Sequence, residues 1–204
     1  MKLLYAPGAC SIGIHVLLEE IGAPFELERV SLRDGEHLKE GFTSRNPKAK
    51  VPTLIRDDGS VLTEFPAIAY YLAQSFPAAK LWPEGLEAQT RALEIIDYVV
   101  ATIHMQGFSR MFAPGKFAPS AADAEAVKKR GLEIFETGLT LLDAALGGKD
   151  YAVGPFSVAD AALFYVEFWR QSGKLPLPAH LAAHYQRMLA RPAVQRVMKS
   201  EGFA

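Results

Sequence analysis

"VPTLIRDDGSVLTEFPAIAYYLAQSF" (Val51–Phe76) decides the fold of this chain. Two short apolar runs flank Asp57-Asp58-Gly59-Ser60, a strong hairpin-turn signal. Directly after them, Ile68, Tyr71, Leu72 and Phe76 line one side of a helix. Upstream, "KLLY" (Lys2–Tyr5) is apolar and stopped by Pro7-Gly8, so it reads as a buried strand. Ile14, Leu17, Leu18 and Ile21 then follow the i, i+3, i+4, i+7 template of an amphipathic helix, begun by Cys10 or Ser11 and ended by Gly22 and Pro24. "FELERVSL" (Phe25–Leu32) alternates as a strand does. The order is βαβ, which implies parallel strands and a right-handed crossover, followed by ββα. About eighty residues thereby make one four-stranded mixed sheet with helices packed on it.

"PAAKLWPEGLE" (Pro77–Glu87) has the composition of a linker. Beyond it the strand signals vanish. Helical patterns run from about 87 to 112, 121 to 146, 157 to 171 and 178 to 200, broken by "APGKFAPSAAD" and "GGKDYAVGPF". The expected organisation is an α/β domain over residues 1–78 and an all-α domain over residues 86–204.

The 204 residues are 50% hydrophobic and 22% charged, ordinary for a globular protein with a sizeable core. Lys and Arg number 22 against 23 Asp and Glu, so no global field favours nucleic acid or an anionic membrane. Apolar runs such as "AIAYYLA" are far too short to cross a bilayer. "MKLLYAPGACS" reaches Pro-Gly before an apolar leader core develops. The single cysteine forms no internal disulfide, and no Cys/His cluster has metal-ligand spacing, so no metal is expected and a reducing cytoplasm is the expected setting.

That cysteine, Cys10, stands where a helix begins, and a helix N-terminus lowers a thiol's pKa. The competing reading is packing, since free cysteine is among the most buried residue types. No second cysteine follows in Cys10-Ser11-Ile12-Gly13, so oxidation there leads to a mixed disulfide with an outside thiol. Ser11 is a preferred N-cap type. Tyr5 ends the first strand beside the same turn, as a core-facing aromatic or as a hydroxyl within reach of the thiol. Ser157-Val158-Ala159-Asp160 fits a capping box, which makes Asp160 a folding residue.

Four segments in this order resemble the glutathione S-transferase superfamily: "YAPGACS", "NPKAKVPTL", "LTEFPAIAYYLA" and "FSVADAALF". The first is similar to the bacterial beta class, whose hallmark is an active-site cysteine. The resemblance covers nearly the whole chain and implies a thioredoxin-like N-terminal domain joined to an all-α C-terminal domain. It implies glutathione as co-substrate, with Cys10, Ser11, His104 and Tyr5 as catalytic candidates. It also implies a cis proline at Pro52, and glutathione contacts from Cys10, the Val51 backbone at Pro52, Glu64, the Phe65 amide, Asp97 and His104. Glu64 would pair with the γ-glutamyl ammonium, and the Phe65 N–H would meet a carboxylate at a helix N-terminus. Three positions depart from the family pattern: Phe65 where Ser, Thr or Gly is usual, Met105 after the histidine where Lys is frequent, and Asp97 in place of Asn.

The implied activity is conjugation of glutathione to small hydrophobic electrophiles, a detoxification reaction, in a cytoplasmic homodimer without nucleic-acid or membrane partners. Met105, Phe108, Met111, Phe112 and Phe117 are candidate walls for the electrophile. A second enzymatic reading is thiol-disulfide exchange or reductive dehalogenation with Cys10 as nucleophile. A reading of another class is a non-catalytic ligand-binding or interaction protein on the same fold, against which the retained Cys10 and Glu64 argue.

Overall fold

The computed structural model describes residues 1–203. Residues 1–82 and 187–203 pack as one compact unit and residues 83–186 as another. One border of these units falls between residues 82 and 83, and the other late in the chain, inside a helix.

In the first unit, β1 (Lys2–Tyr5) leads through a turn to α1 (Ser11–Ile21) and back to β2 (Glu26–Arg29). A short α2 (Glu40–Thr43) precedes β3 (Thr53–Ile55) and β4 (Val61–Thr63), and α3 (Phe65–Ser75) completes the unit's α/β part. The sheet order is β2-β1-β3-β4. β1 and β2 are parallel, with Leu3 opposite Leu27; β1/β3 and β3/β4 are antiparallel, with Thr53 opposite Thr63. This is the βαβ–ββα order expected from the sequence. The hairpin turns where Gly59 adopts φ 80°, a conformation that glycine alone takes without strain. Gly22, at φ 70°, closes α1 by donating to Leu18 O.

Helix α1 differs from the amphipathic expectation. Ile12, Ile14, Val16, Leu17 and Leu18 are all buried, so the helix is covered around most of its girth. The cause lies at the far end of the chain. The expected single helix over 178–200 is two helices, α8 (Ala179–Leu189) and α9 (Pro192–Glu201), because Pro192 cannot donate a backbone hydrogen bond and holds Arg191 extended. Helix α9 packs on α1. Arg191 grips Glu20 with two hydrogen bonds of 2.6 and 3.0 Å, and Arg196 pairs with Glu19.

In the second unit, α4 (Leu86–Asp97) continues without a break into a π-helical stretch, Tyr98–Phe108, and then α5 (Ser109–Phe112). The wider i→i+5 winding is rare, and 3.6-residue periodicity does not announce it. Against it lies α6 (Ala124–Leu146), approaching through glycines. A Cβ at Gly131 would lie 2.7 Å from Gly107 O and from Met111 N, and one at Gly138 2.5 Å from Ile103 Cγ1. Helix α7 (Val158–Ser172) is buried from Val158 to Phe168. Its expected capping box is present: Ser157 Oγ accepts from Ala159 N, and Asp160 accepts from Ser157 N at 2.8 Å. Asp160 also accepts from Ala152 N at 2.7 Å and meets His184 Nε2 at 3.2 Å. His184 Nδ1 contacts Glu167 at 2.8 Å, and all three side chains are fully enclosed.

No helix among the described residues is long and apolar enough to cross a membrane.

Candidate active site

The turn from Ala6 to Cys10 joins β1 to α1 and carries the single thiol. Ser11 holds one side of it. Its hydroxyl donates to Ala6 O and accepts from Ala6 N, both at 3.2 Å, and the residue is fully buried. The expected N-cap is therefore displaced by one residue: Cys10 is the cap position, it has no side-chain capping bond, and Ser11 locks the turn. A hydroxyl with both its partners inside the turn has no free proton to give a ligand sulfur. Tyr5 is buried, with its ring 5.8 Å from that of His15, and burial followed by the charge of Glu201 pushes its hydroxyl above the ordinary range. That matches the core-facing reading of Tyr5.

Cys10 does not have the activation expected of a thiol at a helix start. It is 8% exposed and donates through Sγ to Val51 O at 3.5 Å. Burial pushes the thiol up to about 12; the backbone amides of Cys10 and Ser11, and Lys50, pull it down, and Glu64 pushes it up slightly. The helix-end effect is present in the expected direction, but desolvation outweighs it. Cys10 is a neutral donor in this form of the protein.

Opposite Cys10, the segment Asn46–Thr53 is organised by Asn46. This buried amide donates to Lys50 O at 2.9 Å and Thr53 Oγ1 at 2.8 Å, and it accepts from Lys48 N at 3.0 Å. The "NPKAKVP" stretch thus wraps around one asparagine, which aims the Val51 carbonyl at the thiol. The Val51–Pro52 peptide is cis.

Glu64 precedes α3 with φ 71° and ψ 126°, a backbone region costing a non-glycine residue about 1–3 kcal/mol. Strain of this kind persists only where the surroundings impose it, and here it turns the chain from β4 into the helix. Phe65, 4% exposed, begins α3, whose first amides and dipole favour an anion. The Glu64 carboxylate pairs with Lys48 Nζ at 2.8 Å, and the same ammonium reaches Thr63 Oγ1 at 2.9 Å. Both side chains of the pair are about half exposed, so it contributes only about 0.2–1 kcal/mol and exchanges readily for another charge.

Cys10, Val51, Pro52, Glu64 and Phe65 thus belong to one unit, with Cys10 and Val51 in direct contact. Lys48 is an addition that sequence reasoning missed; its signal was a lysine two residues before the Lys50-Val51-Pro52 run. Asp97 and His104 belong to the other unit. Asp97 is exposed at the end of α4. His104 lies in the π-helical stretch, its ring 4.8 Å from that of Trp169 and 5.7 Å from that of Tyr165. Of the candidate walls, Phe108 stacks on Trp169 at 4.0 Å, while Phe112 is 77% exposed. The apolar stripe is therefore only partly core.

The mixed sheet with a thiol turn, a cis proline and an acidic residue before the third helix defines a thioredoxin-like unit, here followed by helices as in the glutathione transferases. The family of glutathione S-transferase N-terminal domains matches residues 8–75. The chain is 37% identical to glutathione S-transferase GstA of Escherichia coli O157:H7, over 99% of each chain. A solved sphingomonad glutathione S-transferase complexed with glutathione is 37% identical, covers both chains fully and superposes with a TM-score of 0.84. A bacterial beta class enzyme of Sphingomonas chungbukensis is 34% identical, also at full coverage and a TM-score of 0.84. The chain belongs to the glutathione S-transferase family of enzymes.

Proposed function

We propose that the protein conjugates glutathione to small hydrophobic electrophiles, using the Cys10–Val51–Glu64 region as the glutathione site. The observation carrying this reading is the hydrogen bond from Cys10 to Val51 O beside a weakly paired Glu64. Glutathione has one ammonium and two carboxylates. Its ammonium replaces Lys48 on Glu64, the carboxylate beside it takes the α3 amides, and its central cysteine lies along the Val51 backbone. Cys10, drawn away from Val51 O, donates its S–H to the glutathione sulfur and stabilises it as thiolate. That sulfur then attacks the electrophilic carbon; the new C–S bond forms as the leaving group departs with its electron pair, and the glutathione thiol proton passes to solvent. The family resemblance adds His104 as a hydrogen-bond partner of the sulfur and Asp97 as a ligand contact from a second copy in a homodimer, and the apolar residues Met105, Phe108, Met111, Phe112 and Phe117 supply the electrophile wall.

Conjugation is favoured over exchange or dehalogenation through Cys10, because a nucleophilic cysteine needs its thiolate and burial opposes that form. The test is turnover of a generic aryl halide with glutathione, paired with intact mass after incubation with oxidised glutathione. Conjugation without an adduct on Cys10 is expected. An adduct without conjugation would establish exchange chemistry instead, and neither result would leave a binding protein. Light scattering at micromolar concentration should give twice the chain mass.

A further inference from the structure

We propose that Arg110 is a positioning residue for His104: its guanidinium donates to a carbonyl that the return from π-helical to α-helical winding leaves without an amide. The wide winding ends with Ser109 N donating to His104 O, five residues back. Ala113 N then donates to Ser109 O, an α-helical step of four. Across these two bonds the amides of residues 109–113 number five, whereas the carbonyls of residues 104–109 number six. One carbonyl among residues 105–108 is therefore passed over by the ladder, and a backbone carbonyl needs a donor. Arg110 Nη1 donates to two of those four, Met105 O at 3.3 Å and Gln106 O at 3.2 Å.

Packing on both sides opposes rewinding of this stretch into a regular α-helix. Toward α6, Gly107 O and Ile103 Cγ1 sit where a Cβ at Gly131 or Gly138 would lie 2.7 and 2.5 Å away. Toward α7, the His104 ring meets Trp169 edge-on and Phe108 stacks on the same indole. A shift of one residue would turn His104 by about 100° around the axis, the angle of one residue in a helix of 3.6 per turn, and carry it off Trp169. The winding thus places the histidine, and Arg110 satisfies the carbonyl that the winding leaves over. The guanidinium also lies 5.0 Å from the centre of the Phe117 ring, over its face. One side chain therefore holds both the histidine's helix and a candidate wall of the electrophile site.

The consequence for turnover rests on the reading of His104 as the partner of the glutathione sulfur; the consequence for the position of its ring does not. Ring currents of Trp169 and Tyr165 displace the imidazole C–H NMR signals of His104 from those of free histidine. His104→Gln identifies these signals among the five histidines. In Arg110→Met, which keeps an apolar stem and removes the donors, they should move toward the free position. In the same variant kcat with a generic aryl halide should fall about tenfold, the scale of one lost hydrogen bond to a charged group. KM for glutathione should stay nearly unchanged, since Glu64 and α3 belong to the other unit. Arg110→Lys, whose ammonium donates to the same carbonyls, should restore both the signals and kcat. Arg130→Met, which breaks an exposed pair with Glu133 on α6, should move neither. Should Arg110→Met fail to fold, Arg110→Gln carries the same comparison at smaller amplitude, its one amide serving a single carbonyl. His104 signals unmoved in the Met or Gln variant overturn the proposal, as does an equal shift in Arg130→Met or a failure of Arg110→Lys to restore them. Displaced signals with kcat unmoved support Arg110 as the positioning residue and count against His104 as the partner of the sulfur.

Discussion

The thiol of Cys10 points at the carbonyl of Val51, 3.5 Å away and across the cis Val51–Pro52 peptide's own loop. This contact joins the first helix to the loop before β3 and turns the protein's one cysteine into a hydrogen-bond donor. A thiol in that position is protected twice, by exclusion of water and by the proton it shares.

Alkylation of native Cys10 should accordingly be slower than that of free cysteine at neutral pH. Its rate should keep rising with pH beyond about 8.5, where an ordinary thiol is half ionised, because burial pushes this one up to about 12. A pH–rate profile with iodoacetamide that levels off near an ordinary thiol's value would show the sulfur to be exposed. Cys10→Ala should abolish any mixed disulfide while leaving some conjugation.

Glu64→Gln should weaken glutathione binding by about one to two decades, since it removes the charge partner of the γ-glutamyl ammonium. Thermal stability should scarcely move, because the Lys48 pair it breaks is half exposed and exposed pairs contribute little. Calorimetry showing unchanged affinity would place the γ-glutamyl group elsewhere.

The buried His184–Glu167–Asp160 cluster makes stability pH-dependent. Its two carboxylate partners raise His184 from 6.5 to about 9 against the opposing effect of burial, and burial raises Glu167 as well. Both shifts mean that the folded chain holds a proton the unfolded chain releases. The contribution of His184 is complete below about 6.5 and is lost as pH rises through about 9. Denaturant melts across pH 6 to 10 should show stability falling over that window, with a flatter slope and a lower starting value in His184→Gln.

Gly131→Ala and Gly138→Ala should each destabilise the helical unit by about 1–3 kcal/mol, the usual scale of overpacking. They should differ in rescue. The Gly138 methyl meets the Ile103 side chain, which Ile103→Ala can remove, whereas the Gly131 methyl meets the backbone of Gly107 and Met111. Melting temperatures of the double variants Gly138→Ala/Ile103→Ala and Gly131→Ala/Ile103→Ala should show recovery in the first alone.

What the sequence by itself determined is local. The Asp57–Ser60 turn, the start of α3 at Glu64, the stop at Gly22 and the Ser157–Asp160 capping box depend on groups within a few residues of one another, so their chemistry is written in adjacent letters. Pro192 was equally legible in principle, but helical periodicity on both sides concealed the break. Tertiary structure decided the rest. Ser11 could have capped α1 or faced a ligand, and the path of the turn gave its hydroxyl to Ala6. Cys10 stands at a helix end that favours thiolate, yet its ionisation follows the water excluded by Val51 and the surrounding core. The Glu201 carboxylate meets the Gly8 amide only because α9 folds back on α1. Burial and long-range hydrogen bonds depend on which distant elements come together, and they set the protonation and position of groups whose identity alone the sequence can supply.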